Sequence, residues 1–220
     1  GLTDGYKQLD GIGSINWDPF IIAVLKSQGW NSMKDLIEAA KKNPGKISLG
    51  NAGMGGATGV ASVAINLAFG NVFNVTPFQG GNDLRANVLG GHCDVGIFSQ
   101  SEILANQDVL VPLVILYHEH SALDDLKNVP TLNEAGFENL KVPGGSFKSI
   151  SVKKGTPDAA KKKLAEIVKK AYQSQAYQDF MKEKGLLPPP AYYELTELDD
   201  YFDELVAAYT PIMEAAGLLK

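Results

Sequence analysis

The chain has 220 residues, 45% of them hydrophobic, enough to bury a sizeable core as one large domain or two small ones. A net charge of -5 and a pI near 5.2 argue against nucleic acid, which selects basic stripes. No apolar run approaches the length needed to span a bilayer, and the single cysteine, Cys93, cannot form an internal disulfide, which leaves the compartment open.

The chain starts at Gly1 with no initiator Met and no signal peptide, as a processed or trimmed chain would. After an irregular opening, FIIAVL (Phe20–Leu25) reads as a buried strand. Ser32 then caps a helix, with Asp35 three residues on in a capping-box-like arrangement and Met33, Leu36, Ile37 and Ala40 as its apolar stripe; Asn43-Pro44-Gly45 stops it. Ile47–Leu49 is the next strand and Ala57–Phe69 the helix after a glycine-rich loop. Val72–Phe78 is strand-like, Gln79-Gly80-Gly81 turns, and Asn82 or Asp83 caps a helix running to Leu89, ended by Gly90-Gly91. Asp94–Ser99 makes a strand with a short helix behind it, Cys93 sits inside this strand-like run as a buried thiol, and Asp94 holds a turn. Val109–Tyr117 is the most apolar strand, Thr131–Ala135 a one-turn helix, and Phe147–Val152 a further strand. Thr156-Pro157 places a cap and a first-turn proline ahead of a lysine-studded helix with Leu164, Ile167, Val168 and Ala171 on one face. Lys161, Lys162 and Lys163 read as its solvated side. A second helix covers Gln175–Glu183, Leu186–Pro190 breaks the pattern, and Thr196 caps a long final helix carrying Leu198, Phe202, Leu205, Val206, Tyr209 and Ile212. This alternation is the signature of a mainly parallel sheet with helices on both faces.

The most informative stretch is Ile47–Ala68, ISLGNAGMGGATGVASVAINLA, a strand, a glycine-rich turn and a helix of small residues. A helix N-terminus presents unpaired N–H groups and partial positive charge, and glycines let a ligand approach the backbone, so this stretch builds an anion site without charged side chains. The same pattern also serves a tight strand–helix turn that binds nothing. Among 20 basic residues Arg85 is the sole arginine, so bidentate guanidinium clamps are scarce and amides and hydroxyls must do most of any carboxylate binding. No Gly-Lys-Ser/Thr follows the loop, and Gly50, Gly53, Gly55 and Gly56 do not give G-x-G-x-x-G spacing, so nucleotide binding has weak support. His92, His118 and His120 form no HExxH and have no cysteine partners, which leaves no metal site; no Gly-x-Ser-x-Gly elbow or paired nucleophile and base is present, and no cofactor is implied. An enzyme is therefore not expected.

LIEAAKKNPGK (Leu36–Lys46), the Gly53–Thr58 loop, TPFQGG (Thr76–Gly81), GGHCD (Gly90–Asp94), VPTLNEAG (Val129–Gly136) and Gly155-Thr156-Pro157 occur in one order and spacing from about Leu9 onward. Together they resemble the substrate-binding proteins of the tripartite tricarboxylate transporter family, the Bug-type receptors. The resemblance implies an α/β, type II periplasmic-binding-protein-like fold of two lobes. It also implies an extracytoplasmic protein, in the periplasm or lipid-anchored, that closes on a small carboxylated anion (a di- or tricarboxylate or similar) and hands it to membrane permease subunits. A family member carries two further βα units, roughly a hundred residues, ahead of the point where this chain begins. The first lobe is then expected to be incomplete: residues 1–20 end that lobe and cross over, 21–146 form the second lobe, and 147–220 return to the first as hinge strand and C-terminal helices. Apolar faces left without partners in such a piece favour self-association.

The resemblance places the ligand on Gly53, Met54, Gly55, Gly56, Ala57 and Thr58, and on a second wall of Phe78, Gln79, Gly80 and Gly81, where a strand ends and a helix begins. Phe78 is there an aromatic lid, or else a core residue in a turn. Ser99 faces the same cleft or caps a helix. Gly56 and Gly59 stand where the family carries Ser or Thr and His, Thr58 can replace that hydroxyl, and Gln79 stands where a lysine is common. Two other classes use comparable frameworks: the ligand-sensing effector domain of a regulator, and a small α/β enzyme acting on anionic substrates. A leader or a DNA-binding head upstream separates the first from a receptor, and turnover separates the second.

Overall fold

Seventeen residues, Leu9–Leu25, form one strand, β1, where the sequence reads as a strand only from Phe20. Two glycines hide its first half. A side chain at Gly11 would lie 2.9 Å from Leu198 Cβ and one at Gly13 2.9 Å from the Tyr192 hydroxyl, so close packing rather than flexibility explains the strand-poor composition. A computed structural model describes residues 5–121, 123–186 and 191–219. By internal contacts the chain divides into two units, Pro19–Ser146 with Ala216–Leu218, and Gly1–Asp18 with Phe147–Ala215 and Leu219–Lys220.

The first of these carries α1 (Met33–Lys42), β2 (Ile47–Asn51), α2 (Ala57–Ala68), β3 (Phe73–Pro77), α3 (Gly81–Leu89), β4 (Val95–Ser99), α4 (Gln100–Leu104) and β5 (Leu110–Ile115). Its sheet has the order β3-β2-β4-β1-β5, with β2 parallel to β3 and β4, and β1 antiparallel to β4 and β5. The sheet is thus mixed rather than mainly parallel: a strand buried on both faces reads the same in either direction, so periodicity carries no information on polarity. Alternation along β1 sends Phe20, Ile22 and Val24 into one core with Leu36, Ile37, Ala61 and Ile65 of α1 and α2, and Ile21 and Ala23 into another with Leu84, Val88 and Ile103 of α3 and α4. Helices therefore cover both faces. Ser32 Oγ caps α1 by accepting from Asp35 N–H at 3.1 Å, while the Asp35 carboxylate accepts from Asn31 N–H at 3.1 Å. Asp94 does more than hold a turn. Its carboxylate accepts from Ser48 N–H (2.9 Å) and Ser48 Oγ (2.7 Å), and from the Gln28 amide (3.2 Å), which pins the start of β4 to β2.

The second unit contains β6 (Gly145–Lys153), which pairs β1, and α5 (Asp158–Tyr172), α6 (Gln175–Glu183) and α7 (Thr196–Ala215). Ser14 and Tyr193 exchange two bonds, and Asp199 accepts from Gly11 N–H at 2.8 Å. Several local expectations change. Thr156 does not cap α5; its hydroxyl bonds Lys153 O at 2.7 Å, and Pro157 takes the cap position. The α5 face runs differently too: Ala165 is buried, while Leu164 and Ile167 are exposed. Gly80, with φ of 125°, stands at the N-cap of α3 in place of Asn82 or Asp83. Residues 131–135 form a turn closed by Ala135 N–H to Thr131 O, with no helix. The expected break at Leu186–Pro190 lies, beyond Leu186, outside the described residues.

Cys93 precedes β4 rather than lying in it, 1% exposed with Sγ against Val95 O at 3.4 Å. Burial pushes its thiol above the ordinary range, so it stays protonated and inert at neutral pH. An aromatic disulfide reagent at pH 8 should label less than a tenth of the chains before unfolding and all of them in guanidinium; rapid labelling of the folded chain would contradict this burial.

Candidate functional site

β2, β3 and β4 run parallel, so their C-terminal ends at Asn51, Pro77 and Ser99 share one edge of the sheet, where open α/β sheets bind ligands. The loop after β2 is organised by a fully buried side chain. Asn51 Oδ1 accepts from Gly53 N–H at 3.0 Å, and its amide nitrogen donates to Ser62 Oγ at 3.0 Å and approaches Met54 Sδ at 3.5 Å. Ser62 Oγ in turn donates to Gly59 O at 2.7 Å. Gly53 has φ of 122°, a conformation that favours glycine, and Gly56 N–H closes a turn on Gly53 O at 3.1 Å. At Gly59 a side chain would lie 2.5 Å from Gly53 O and 2.6 Å from Met54 Cα, so the loop rests directly on the first turn of α2.

Gly55 and Gly56 are exposed, and Gly53, Met54 and Ala57 half-buried. Thr58 is buried and accepts from Ala52 N–H at 3.0 Å, so its oxygen fastens the loop. α2 has Gly56 at its N-cap, no side-chain cap and no acidic residue in its first turn, which leaves its N-terminal field available to an anion.

Phe78 joins this loop to the next strand end, donating its N–H to Asn51 O at 2.9 Å. Its ring belongs to the core with Leu84 and Cys93, packed where a Gly50 side chain would stand. Gln79 is exposed, with its N–H given to Asp83 Oδ2 at 3.1 Å. Gly81 is half-buried, and a side chain there would stand 2.7 Å from Glu102 Oε1. Ser99 caps α4 in a full capping box, its N–H and hydroxyl both bonded to Glu102 Oε2 at 2.9 Å. One continuous strip therefore joins Gly53, Phe78, Gly81 and Ser99. Arg85, half-buried, donates to Asn82 Oδ1 at 3.0 Å.

Asn51, Ser62 and Glu102 escaped the sequence reading. An Asn two residues before a glycine at a strand end is the signal for the first; the S-x-x-E pattern from Ser99 signals the third. Two cavities in the other unit, of about 200 and 400 Å³, are lined by Asp10, Asp158 and Asp199 together with Lys161 and Lys162, and by Glu197, Asp200 and Glu204. Lys161 is already paired with Asp10 and Asp158, and carboxylates outnumber cations in both cavities, which disfavours an anion there. No group of three or more metal-ligating side chains occurs among the described residues, and no helix among them is long and apolar enough to cross a membrane.

Residues 3–218 match the family described as tripartite tricarboxylate transporter family receptor. A UPF0065 protein from the tcbD-tcbE intergenic region of Pseudomonas sp. (strain P51) is 27% identical over 176 residues, covering 76% of this chain and 50% of the relative. Among solved structures, the periplasmic binding protein BugD is similar at a TM-score of 0.83 and 22% identity, covering 96% of this chain and 70% of its own. R. palustris Rpa4515 is similar at 0.83 and 19%, with 96% and 69% covered. The chain spans half to about two thirds of the length of the curated relatives it matches.

Replacing Asn51 by Leu strands Gly53 N–H and removes the partner of Ser62. Each unsatisfied buried group costs about 1–3 kcal/mol, so a loss of roughly 3 kcal/mol in denaturant unfolding is expected. A change below about 0.5 kcal/mol would show that Asn51 does not hold the loop.

Proposed function

The chain belongs to the tripartite tricarboxylate transporter receptor family, and from that premise we propose that it is a solute receptor whose Gly53–Thr58 loop takes the carboxylate of a small organic anion. The observation that carries this is the uncapped, acid-free start of α2 beneath a glycine loop that Asn51 and Gly59 hold in place. A carboxylate set there meets backbone N–H groups and the positive end of the helix dipole, with roughly 0.3–2 kcal/mol from the field alone. Met54 and Ala57 supply apolar contact at the rim, and the exposed Gly55 and Gly56 let the anion reach the amides.

In this reading residues 21–146 are the ligand-bearing lobe, and residues 1–20 and 147–220 belong to the other. Phe78–Gly81 and Ser99 form the far wall of the ligand surface. The neighbour Rpa4515 was solved with adipate, which supports a carboxylate as the solute class. Membership of the family supports, as part of this proposal, an extracytoplasmic location and delivery to membrane permease subunits. The chain's relatives extend beyond its length, so the transport partner and any leader are part of the proposal.

Titration of isotope-labelled chain with adipate, followed by amide shifts, tests the assignment: shifts should concentrate in Gly53–Thr58. Gly55→Val should weaken binding at least tenfold, about 1.4 kcal/mol, and unchanged affinity would overturn the loop assignment. Because neutral amides make the site, Arg85→Ala should cost less than threefold and raising salt should matter little. A loss of several hundredfold on removing Arg85 would mean that its guanidinium is the clamp.

A further inference from the structure

The three strand ends along the candidate strip differ in sign. At the start of α2 there is no acidic residue and no side-chain cap. At the start of α3 the chain supplies carboxylates of its own. Asp83 lies in the first turn and accepts from Gln79 N–H at 3.1 Å. Glu102, reaching across from α4, sets Oε1 in the space a Gly81 side chain would fill, 2.7 Å from that Cβ position. Glu102 is held there. Its Oε2 accepts from the Ser99 N–H and hydroxyl, both at 2.9 Å, so that oxygen is anchored and Oε1 is left as an acceptor beside Gly81. The chain's one guanidinium, Arg85 of α3, is bonded to Asn82 Oδ1 at 3.0 Å and forms no ion pair with either carboxylate.

Resting on the reading of Gly53–Thr58 as the carboxylate seat, we infer that Glu102 is a specificity-determining residue of the far wall, which receives a hydrogen-bond donor of the solute and disfavours a second carboxylate. The solute class is then a carboxylate bearing a hydroxyl or amino group rather than a plain dicarboxylate. The physical reason is directional. A carboxylate bound at the α2 start is attracted by amides and helix field, whereas one placed against Gly81 meets the Glu102 carboxyl, whose oxygen lone pairs seek a donor. A hydroxyl or ammonium at that point completes a charge-assisted bond; a hydrogen or a second carboxylate leaves Oε1 unpaired or repelled. Gly81 is part of the device, since any side chain there would push the carboxylate out of place.

Calorimetry or amide-shift titration of the 220-residue chain with two pairs of probes tests this: malate against succinate, and lactate against propionate. The hydroxylated member of each pair should bind at least tenfold tighter. Glu102→Gln keeps a residue that can complete the α4 capping box, and it should shrink both ratios to below threefold, the first mainly by tightening succinate and the second by weakening lactate. Gly81→Ala, which displaces the carboxylate without removing charge, should move the ratios the same way. If none of the four probes binds the unmodified chain, the carboxylate-receptor reading fails and this inference with it. If the probes bind through Gly53–Thr58 but show no hydroxyl preference, or keep the preference in both variants, the receptor reading stands and the role of Glu102 is overturned.

Discussion

The contact on which the candidate ligand surface depends is between backbone and backbone. Gly53 O and Met54 lie on Gly59 of the first turn of α2, closer than any side chain would permit. That proximity lets a loop of small residues be held without charged anchors: Asn51 ties it from below through Gly53 N–H, and Thr58 ties Ala52 N–H from the helix side. Because those bonds stay inside the loop, the amides at the start of α2 are not consumed by a side-chain cap. A hydroxyl at Gly56 would be a natural cap for those amides and would compete with a ligand. Its absence is what the proposed anion seat relies on.

The neighbouring strand ends show the opposite economy. Asp83 satisfies Gln79 N–H, and Glu102 completes the box with Ser99, so both helices after α2 begin with the chain's own carboxylates. Exposed dipole interactions of this kind are each worth about 0.3–1 kcal/mol, too little to define a fold but enough to bias where a bound anion sits. The same three parallel strands thus present one attractive and two internally satisfied helix starts. Sole possession of a guanidinium by Arg85 reinforces the asymmetry, since no second fork exists to balance the acids.

Strong local signals were legible in the sequence. The Ser32 cap with Asp35, the strands at β2 and β4, α2 and α6, and the glycine loop itself all follow from short-range chemistry that the structure keeps. What was illegible depends on distant neighbours. The first half of β1 is a strand because β6 and Tyr193 supply its ladder partners, and its glycines answer to Leu198 and Tyr192, more than 150 positions away. Thr156 looks like a cap, yet its hydroxyl finds Lys153 O first. At the site, Glu102 was hidden because its role toward Gly81 appears only when α4 and the start of α3 are side by side. Pairing direction was invisible too, since β1 buries both faces and its alternation has no sign.

The two units rest on different amounts of burial. Both apolar cores, on the two faces of the sheet, lie between Phe20 and Val142. By contrast α5 buries only Ala165 and α6 only Met181, while α7 buries Leu198 and Met213. Those helices lean instead on aromatic contacts, such as Tyr193 stacked on Tyr201 at 4.6 Å, and on Lys161 held between Asp10 and Asp158. Fully burying a large apolar side chain is worth about 1.5–3 kcal/mol, and these three helices supply few such side chains. Local opening should therefore cost least around α5–α7, where Leu164, Ile167 and Phe180 remain exposed. The candidate loop, by contrast, is fastened to β2 and α2, which belong to the doubly covered sheet. A candidate loop carried by the better buried unit keeps its amides in place independently of α5–α7, which is what the proposed binding through fixed backbone dipoles requires.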